Sequence, residues 1–539
     1  MPTSLDQHLW DELCAALAAQ GLPVPVDAGP SPSPAAAMVS PSWASVSAWA
    51  DSGLMWLTGS PQAPPTLPDG PVLGRAEAAA RLFTALSARL GRTVRPDVAV
   101  LLGGRAALLG LTRGGTRSAG GSCRLLPAAD GWLAVNLARP HDEDAVDALL
   151  GALDDPATST TPATPATSTA PAVRTGSDAS EVGARTWSEL GAAVATRPTR
   201  EVVELARLLA MPVAALEVSR RPVPIRSLPR RLARTPGGSH PPSGPVDRAG
   251  GGPIGGRVVV DLSSMWAGPL CAHLLGRMGL RVIKVESVRR LDGARRGNAD
   301  FYDWMHTGHE SVVLDFATPD GRATLRRLLA HADVVLESSR PRALAHLGID
   351  PDALLAARPG QVWASITAHG RTGAASDSAP DAVAFGDDAA VAGGLVAWQW
   401  HTHTPSPTPV FCADAIADPL TGLFAAVAVA AALRCGGGQL LDIAMRDVAA
   451  WTAAPLPRIP PAPTATADPA HIAPPVGAMA AAVRVTGSDQ YGWTAHLDGH
   501  SRPVAPPTPP WPTGDTPPWP QAAEPGAHTR TVLADLPPV

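Results

Sequence analysis

The sequence predicts an α/β protein with a doubly wound parallel sheet in a large domain and with a smaller α+β domain. Short apolar strands alternate with helices across residues 257–450, and proline-rich stretches flank this region. The first strand is VVVDL at 258–262, and a helix and a second strand follow it. Because parallel neighbours need a crossover connection, this alternation is typical of parallel sheets. Ligands of such sheets bind beyond the carboxyl ends of the strands.

The 539 residues exceed one typical core and predict at least two domains. Residues 1–225 form the smaller domain in this prediction. Within them, a Pro/Thr/Ala/Ser tract at 154–175 is a flexible linker, since its composition buries too little apolar area to order itself. A Pro/Gly-rich linker at 226–256 carries the main boundary. The large domain occupies 257–450, and 451–539 is a proline-rich extension with a short hairpin and a tail.

Turn signals and periodicity predict the other elements. The segment 121–140 contains two strands joined at Asp130-Gly131, which is a strong hairpin signal. Helices are expected at 75–90 and 142–153, and a second hairpin at 480–497. In the large domain, further strands are expected at 280–285, 311–315, 334–337 and 362–367.

Charge and cysteine content exclude several functional classes. The formal net charge of -5 leaves no basic face for nucleic acid. The five cysteines show no CxxC pair and no metal-ligand spacing, so neither a disulfide scaffold nor a metal site is expected. The N-terminus lacks a signal pattern, and the longest apolar run, Leu423–Leu433, is too short for a bilayer. We expect a cytoplasmic protein without a membrane partner.

The stretch 409–445 contains the strongest candidate for chemistry. Asp414 and Asp418 precede a helix of small apolar residues, which Gly436–Gly438 end, and an apolar strand follows. An acid at the mouth of such a helix is either a stabilising cap or a nucleophile held away from water. Residue type alone leaves both alternatives open.

The first strand-turn-helix does not carry a dinucleotide motif. A GxGxxG turn lets the backbone approach a pyrophosphate, whereas this turn has Trp266-Ala267-Gly268-Pro269. NAD and FAD are therefore disfavoured as cofactors.

Several separated motifs resemble the large domain of the family III CoA transferases, a group similar in fold to the alpha-methylacyl-CoA racemases. They are DLSSMWAGPLCAHLLGRMGLRVIKVES, RRLDGARRG, the segment from FYDWMHTGHE to LAHLGID, RPGQVWASITAHGRTG and ADPLTG. The resemblance covers about residues 257–450 in unbroken order. It implies an acyl-CoA:carboxylate CoA transferase whose substrates are an acyl-CoA and a carboxylic acid, with no cofactor beyond coenzyme A. An interlocked homodimer is a further expectation from the family.

In this resemblance Asp418 is the nucleophile. Its carboxylate would attack the thioester to give a mixed anhydride, and the returning thiolate would give an aspartyl-CoA thioester. Asp414 would be a neighbour or a cap. The residues expected to line the CoA groove are Trp266, Ala267, Ser287, Leu314, Ser338, Ser339, Arg340, His346, Val383 and Phe385.

Two of these positions have competing interpretations. Ser287 falls where an arginine is common, so phosphate pairing would need a nearby arginine, and each of these is equally well explained as a surface charge: Arg289, Arg290, Arg295 and Arg296. His346 is equally well explained as a helix-surface histidine.

Two alternative functions stay open. The racemase branch pairs a histidine with the aspartate, but Phe385 stands at the equivalent place, so a racemase or isomerase is disfavoured. Asp387 and Asp388 are expected as helix-start acids rather than bases. The other alternative is a catalytically degenerate CoA-binding protein.

The order of the parts departs from the family. Pieces similar to its small domain, such as SGLMWLTG and CRLLPAADGWLAVNLARP, stand before the large domain, which indicates rearrangement after duplication and loss. The glycine-rich lid of the family is missing after Met445. Gly114-Gly115 and Gly120-Gly121 are either its replacement or a plain hairpin loop.

Overall fold

The computed structural model describes residues 4–24, 43–154, 179–217, 223–228, 256–371, 382–401, 406–455, 481–511 and 520–536. The linker predicted at 154–175 lies outside these ranges except for Asp154. Most of the linker predicted at 226–256 also lies outside them.

The N-terminal part is mainly helical and contains one small antiparallel sheet. The helices are α1 (Ser4–Ala19), α2 (Trp43–Asp51), α3 (Val72–Arg89), α4 (Val98–Leu108), α5 (Pro140–Asp144), α6 (Val146–Asp154), α7 (Ala179–Val194) and α8 (Thr199–Leu208). The sheet has the order β1 (Cys123–Pro127), β2 (Trp132–Asn136), β3 (Val213–Ala215). Pro127 pairs with Trp132 across the turn, so the hairpin predicted at Asp130-Gly131 is confirmed.

A seven-stranded sheet forms the centre of the large domain. Its strands are β4 (Arg226–Leu228), β5 (Val258–Asp261), β6 (Arg281–Ser287), β7 (Glu310–Leu314), β8 (Val334–Glu337), β9 (Val362–Thr367) and β12 (Leu440–Ala444), in the order β4-β12-β9-β8-β5-β6-β7. Every pair is parallel except β4 with β12. The predicted parallel α/β fold is confirmed. The linker expected from residue 226 is wrong at its start, because residues 226–228 form the antiparallel edge strand.

Helices cover both faces of this sheet. They are α9 (Ala267–Arg277), α10 (Ala299–His306), α11 (Pro319–His331), α12 (Pro341–His346), α13 (Pro351–Ala357), α14 (Gly386–Ala392), α15 (Ala417–Arg434) and α16 (Met445–Ala453). A two-stranded ribbon of β10 (Ala397–Gln399) and β11 (Thr408–Val410) precedes α15.

The C-terminal part packs back onto the large domain. Strands β13 (Arg484–Ser488), β14 (Gly492–Leu497) and β15 (His500–Pro503) form an antiparallel sheet, and α17 (Thr529–Ala534) ends the described chain. The backbone N–H of His528 donates to the Ser311 carbonyl at 2.9 Å, and the Val313 N–H donates to Oγ1 of Thr529 at 3.1 Å. The tail therefore covers the edge strand β7.

Helix α15 is the shared centre of the core. It packs against α9 on one side and against α3 of the N-terminal part on the other. Its residues from Ala417 to Leu433 are buried, apart from Asp418. By length and composition this helix could cross a membrane, because its 18 residues extend beyond the apolar run Leu423–Leu433 on which the sequence prediction was based. However, 89% of the helix is buried inside the protein. The N-terminal helices thus share one core with the large domain.

Candidate active site

Asp418 is the second residue of α15 and is only partly exposed. Oδ2 of its carboxylate accepts a hydrogen bond from the backbone N–H of Gly386 at 3.1 Å. The start of α15 has no side-chain cap bond in the described structure. The carboxylate therefore faces the start of α14 and does not cap its own helix.

Gly386 allows this approach because it has no side chain. A Cβ at this position would lie 2.5 Å from Oδ2 of Asp418 and 2.2 Å from the Ala415 carbonyl oxygen. Both distances are shorter than van der Waals contact, so a larger residue would displace either the carboxylate or the turn before α15.

Three further aspartates surround Asp418, and all three are buried. Oδ1 of Asp387 accepts from the Ala415 N–H at 3.0 Å, and Oδ1 of Asp388 accepts from Nδ2 of Asn136 at 2.8 Å. Asp387 and Asp388 lie in the first turn of α14, where they were expected. Asp414 lies one turn before Asp418 and pairs with an arginine from α4.

Burial changes the acidity of this cluster. It raises the pKa of Asp418 to about 7, and the nearby Asp388 and Asp414 add to this effect, whereas Arg105 and the Gly386 N–H oppose it. Burial likewise raises the pKa of Asp387 and of Asp388 to about 7. Perturbed carboxyl groups of this kind concentrate at functional sites.

Arg105 is the cation of the site and comes from the N-terminal part. Its Nη1 donates to both carboxylate oxygens of Asp414, at 2.8 and 2.6 Å. The Arg105 side chain is 26% exposed and the Asp414 side chain 1%. The guanidinium lies 5.4 Å from the ring centre of Trp266 and 5.7 Å from that of Phe301. Two aromatic faces and one carboxylate thus fix its position.

A buried ion network holds the turn before Trp266. Lys284 lies 2.8 Å from Oδ2 of Asp292 and 3.7 Å from Oδ2 of Asp261. Asp292 accepts from the N–H of Met265, whose φ of 73° lies in the left-handed region. The network therefore stabilises a backbone conformation that a non-glycine residue rarely adopts.

The structure brings several predicted CoA-binding residues to one edge of the sheet. Trp266 and Ala267 follow β5, Ser287 and Leu314 end β6 and β7, and the run Ser338, Ser339, Arg340 follows β8. These strands are parallel, so their carboxyl ends share an edge. Trp266 contacts Arg105, which links this edge to the acid cluster.

Phe385 and Val383 approach the cluster from another segment. The Phe385 N–H donates to Oδ1 of Asp388 at 3.0 Å, and its neighbour Gly386 contacts Asp418. Val383 is half-buried two residues earlier. His346 ends α12, is exposed, and has no contact with the cluster among the described residues.

The four arginines near Ser287 differ in exposure and in hydrogen-bond partners. Arg295 donates to Glu286 through Nε and Nη2 and lies over the ring of Tyr302, so it belongs to the structural core of this edge. Arg289, Arg290 and Arg296 are exposed. Of the four, these three remain candidates for phosphate pairing.

One predicted glycine pair lies at the acid cluster. A Cβ on Gly120 would come 3.7 Å from Oδ1 of Asp414. Gly115 accepts from the Phe411 N–H through its carbonyl at 2.9 Å, and the same loop leads into β1. The segment 114–121 is therefore a hairpin loop that also borders the candidate site.

A separate surface pocket contains none of the predicted site residues. It is lined by Pro64, Pro65, Thr66, Leu67, Trp398, Gln399, Trp400, Val483 and Val485. Within the described ranges, no group of three or more His, Cys, Asp or Glu residues could hold a metal ion.

Sequence reasoning missed Arg105, Gly386 and Asn136. Arg105 and Asp414 are separated by 309 positions, which no local pattern could connect. Gly386 did stand beside the predicted Phe385, and a glycine opening an acidic helix was an available signal for a close approach.

The parallel sheet, the buried helix α15 and the aspartate at its start define a doubly wound α/β protein with a carboxylate candidate active site. Residues 254–483 match the family model described as CoA-transferase family III, so this segment of the chain is similar to that family.

Two curated relatives agree with this assignment. The chain is 34% identical over 213 residues to a succinate--glutarate CoA-transferase of Agrobacterium fabrum, covering 36% of this chain and 52% of the relative. It is 32% identical over 200 residues to a succinyl-CoA--D-citramalate CoA-transferase of Chloroflexus aurantiacus, covering 35% and 48%. The chain thus spans about half the length of the curated relatives it matches.

Solved structures include a similar CAIB/BAIF family protein from Brucella suis. The identity is 30%, the match covers 37% of this chain and 54% of that chain, and the TM-score is 0.33.

Proposed function

We propose that this chain is an acyl-CoA:carboxylate CoA transferase that uses Asp418 as its nucleophile. The observation that carries the proposal is the position of Asp418, which is partly exposed at the start of a buried helix and is held by the Gly386 N–H. Relatives named as CoA transferases support the same reaction class.

The first half of the reaction would form a covalent CoA adduct. The Asp418 carboxylate attacks the thioester carbonyl, the carbon–sulfur bond breaks, and CoA leaves as the thiolate, which gives a mixed anhydride. The thiolate then attacks the Asp418 acyl carbon and expels the donor's carboxylate. The product is an aspartyl-CoA thioester.

The second half would return the enzyme to its starting state. The carboxylate of the acceptor attacks the aspartyl thioester and releases the thiolate, which then attacks the acceptor's acyl carbon. Asp418 leaves as a free carboxylate, and the acceptor carries CoA away. The two half-reactions balance in atoms and charge without an oxidant, a reductant or an external proton source.

The state of Asp418 suits this role. Its raised pKa of about 7 makes it a stronger nucleophile when ionised than an exposed aspartate would be. The Gly386 N–H, which bonds the free carboxylate, can also bond an oxyanion that develops on the same oxygen.

The test is mass spectrometry of the peptide containing Asp418 after incubation with succinyl-CoA. A non-thiol reductant is present, because Cys435 is an exposed cysteine and could form a mixed disulfide with CoA. We expect an adduct of CoA minus water in the wild type and in Asp489→Asn, whose carboxylate is exposed and pairs with Arg113. Asp418→Asn should give no adduct.

Three results would point elsewhere. Turnover that is unchanged in Asp418→Ala would remove Asp418 as the nucleophile. CoA binding without an adduct or exchange would favour a degenerate CoA-binding protein. Deuterium uptake at the alpha carbon of an acyl-CoA, without CoA exchange, would favour a racemase or isomerase.

A further inference from the structure

Two parts of the described chain resemble each other in the order and packing of their elements, and we refer to them as two copies of one unit. The first copy comprises α1 to α4 with the hairpin β1–β2, and the second comprises α9 and α14 to α16 with the hairpin β13–β14. Helices α3 and α15 both have 18 residues and end before a glycine of positive φ, Gly91 or Gly436. Arg89 and Asp97 in the first copy have the same spacing as Arg434 and Asp442 in the second.

The packing of the two copies follows the same pattern. Helix α1 packs on α3 as α9 packs on α15, and α3 packs on α15 at the centre. Both outer helices contain Leu-Cys-Ala, at 13–15 and 270–272. A Cβ on Gly74 of α3 would meet α1 at Leu9, and one on Gly422 of α15 would meet α9 at Ala267. Each hairpin has a Gly-Trp pair at its turn, at 131–132 and 492–493.

The charged groups of the copies have diverged in opposite ways. The first turn of α15 carries Asp418, whereas the first turn of α3 carries no acid. The last turn of α4 carries Arg105, whereas the last turn of α16 carries no basic residue. Arg105 of the first copy pairs with Asp414, which lies four residues before Asp418 of the second copy. The chain therefore holds one combined site, with the anionic side from the second copy and the cation from the first.

Arg105 has hydrogen-bonding capacity left at this site. Both of its bonds to Asp414 come from Nη1, and neither Nε nor Nη2 bonds a protein atom among the described residues. The side chain is 26% exposed, and the rings of Trp266 and Phe301 hold its guanidinium in place. A guanidinium binds a carboxylate through paired N–H groups in one plane.

An anionic acceptor needs such a group here. The site contains Asp418 and three buried aspartates, and like charges at short range repel an approaching carboxylate. We propose that Arg105 receives the carboxylate of the acceptor acid and so selects anionic acceptors for the Asp418 adduct. This inference rests on the proposed transferase function. By microscopic reversibility, the donor's carboxylate would leave through the same contact.

The test separates formation of the adduct from its discharge. Wild type, Arg105→Gln and Arg105→Lys are loaded with succinyl-CoA, freed of excess donor, and discharged with glutarate over a range of concentrations. We expect the half-saturating glutarate concentration to rise about tenfold or more in Arg105→Gln and less in Arg105→Lys, which keeps the charge. The adduct should still form in both variants, but more slowly in Arg105→Gln, because the donor's carboxylate leaves through the same contact.

Arg113→Gln is the matched control. It breaks a different ion pair of the N-terminal part, the 2.8 Å contact of Arg113 with Asp489 of the C-terminal part. It should discharge at the wild-type glutarate concentration. An unchanged half-saturation in Arg105→Gln would overturn the inference, and so would loss of adduct formation in both Arg105 variants. No adduct in the wild type would instead reject the proposed function itself.

Discussion

The backbone N–H of Gly386 donates to the Asp418 carboxylate across 3.1 Å, although the two residues belong to different helices. The contact exists because position 386 has no Cβ. It joins the start of α14 to the start of α15 and orients the one carboxylate of the cluster that α15 presents at its first turn.

Replacing Gly386 by alanine should damage the site. The added Cβ would lie 2.2 Å from the Ala415 carbonyl oxygen and 2.5 Å from Asp418, so the carboxylate must move. We expect the rate of adduct formation to fall about tenfold or more and the free energy of unfolding to fall by about 1 to 3 kcal/mol. Single-turnover assays and urea unfolding measure the two effects.

Gly151→Ala is the control for this change. Gly151 lies in α6, and a Cβ there would meet nothing within 4 Å. Alanine should keep adduct formation unchanged and raise helix stability by up to about 1 kcal/mol. Equal activity of the two alanine variants would contradict the steric role of Gly386.

The pH dependence of adduct formation should report Asp418. Only the ionised carboxylate attacks, so the rate should increase as the pH rises through about 7. Arg105 lowers the pKa of Asp418. Arg105→Gln should therefore move the midpoint of the profile to higher pH. Rapid-quench measurements across the neutral range test this, and a midpoint shared by both proteins would rule out the electrostatic coupling.

Asp387 should make the protein less stable at alkaline pH. Burial raises its pKa from 3.8 to about 7, so the folded state binds a proton that the unfolded state has already lost in this range. The resulting stability is present in full below about pH 4 and is lost as the pH rises through 7. In Asp387→Asn the decline in unfolding free energy between these limits should be smaller. Urea unfolding at several pH values measures it, and parallel curves for both proteins would disprove the assignment.

Lys284 should be essential for stability. It is buried between Asp292 and Asp261, and methionine would leave both carboxylates without their cation. We expect Lys284→Met to lower the free energy of unfolding by about 3 to 5 kcal/mol. Arg185→Gln removes an exposed ion pair with Glu189 in α7 and should cost less than about 1 kcal/mol. Similar losses in both variants would contradict the importance of burial.

The sequence was sufficient for the parts that depend on local pattern. The alternation of strands and helices predicted the parallel sheet, and Asp130-Gly131 predicted the hairpin of β1 and β2 in the N-terminal part, because periodicity and turn chemistry act over a few residues. The glycines that end α15 also have the expected positive φ, at 89°, 70° and 85°.

Other features depend on contacts between distant segments. β4 is only three residues long and pairs with β12 more than 200 positions later, so it resembled the start of a linker. Arg105 gave no local sign of its partner, because the ion pair forms only after α4 packs near the start of α15. Arg105 differs from the corresponding helix end only in the folded structure, since the last turn of α16 carries no basic residue.

Helix α15 restricts how this protein can change over evolutionary time. Half of its 18 residues are alanine or valine, and helices pack against it on two sides. A longer side chain on either side would push α3 and α9 away from α15 and so separate the N-terminal part from the large domain. Substitutions should therefore be tolerated more readily in the surface loops at the edge of the sheet than in this helix, whose sequence should stay nearly constant.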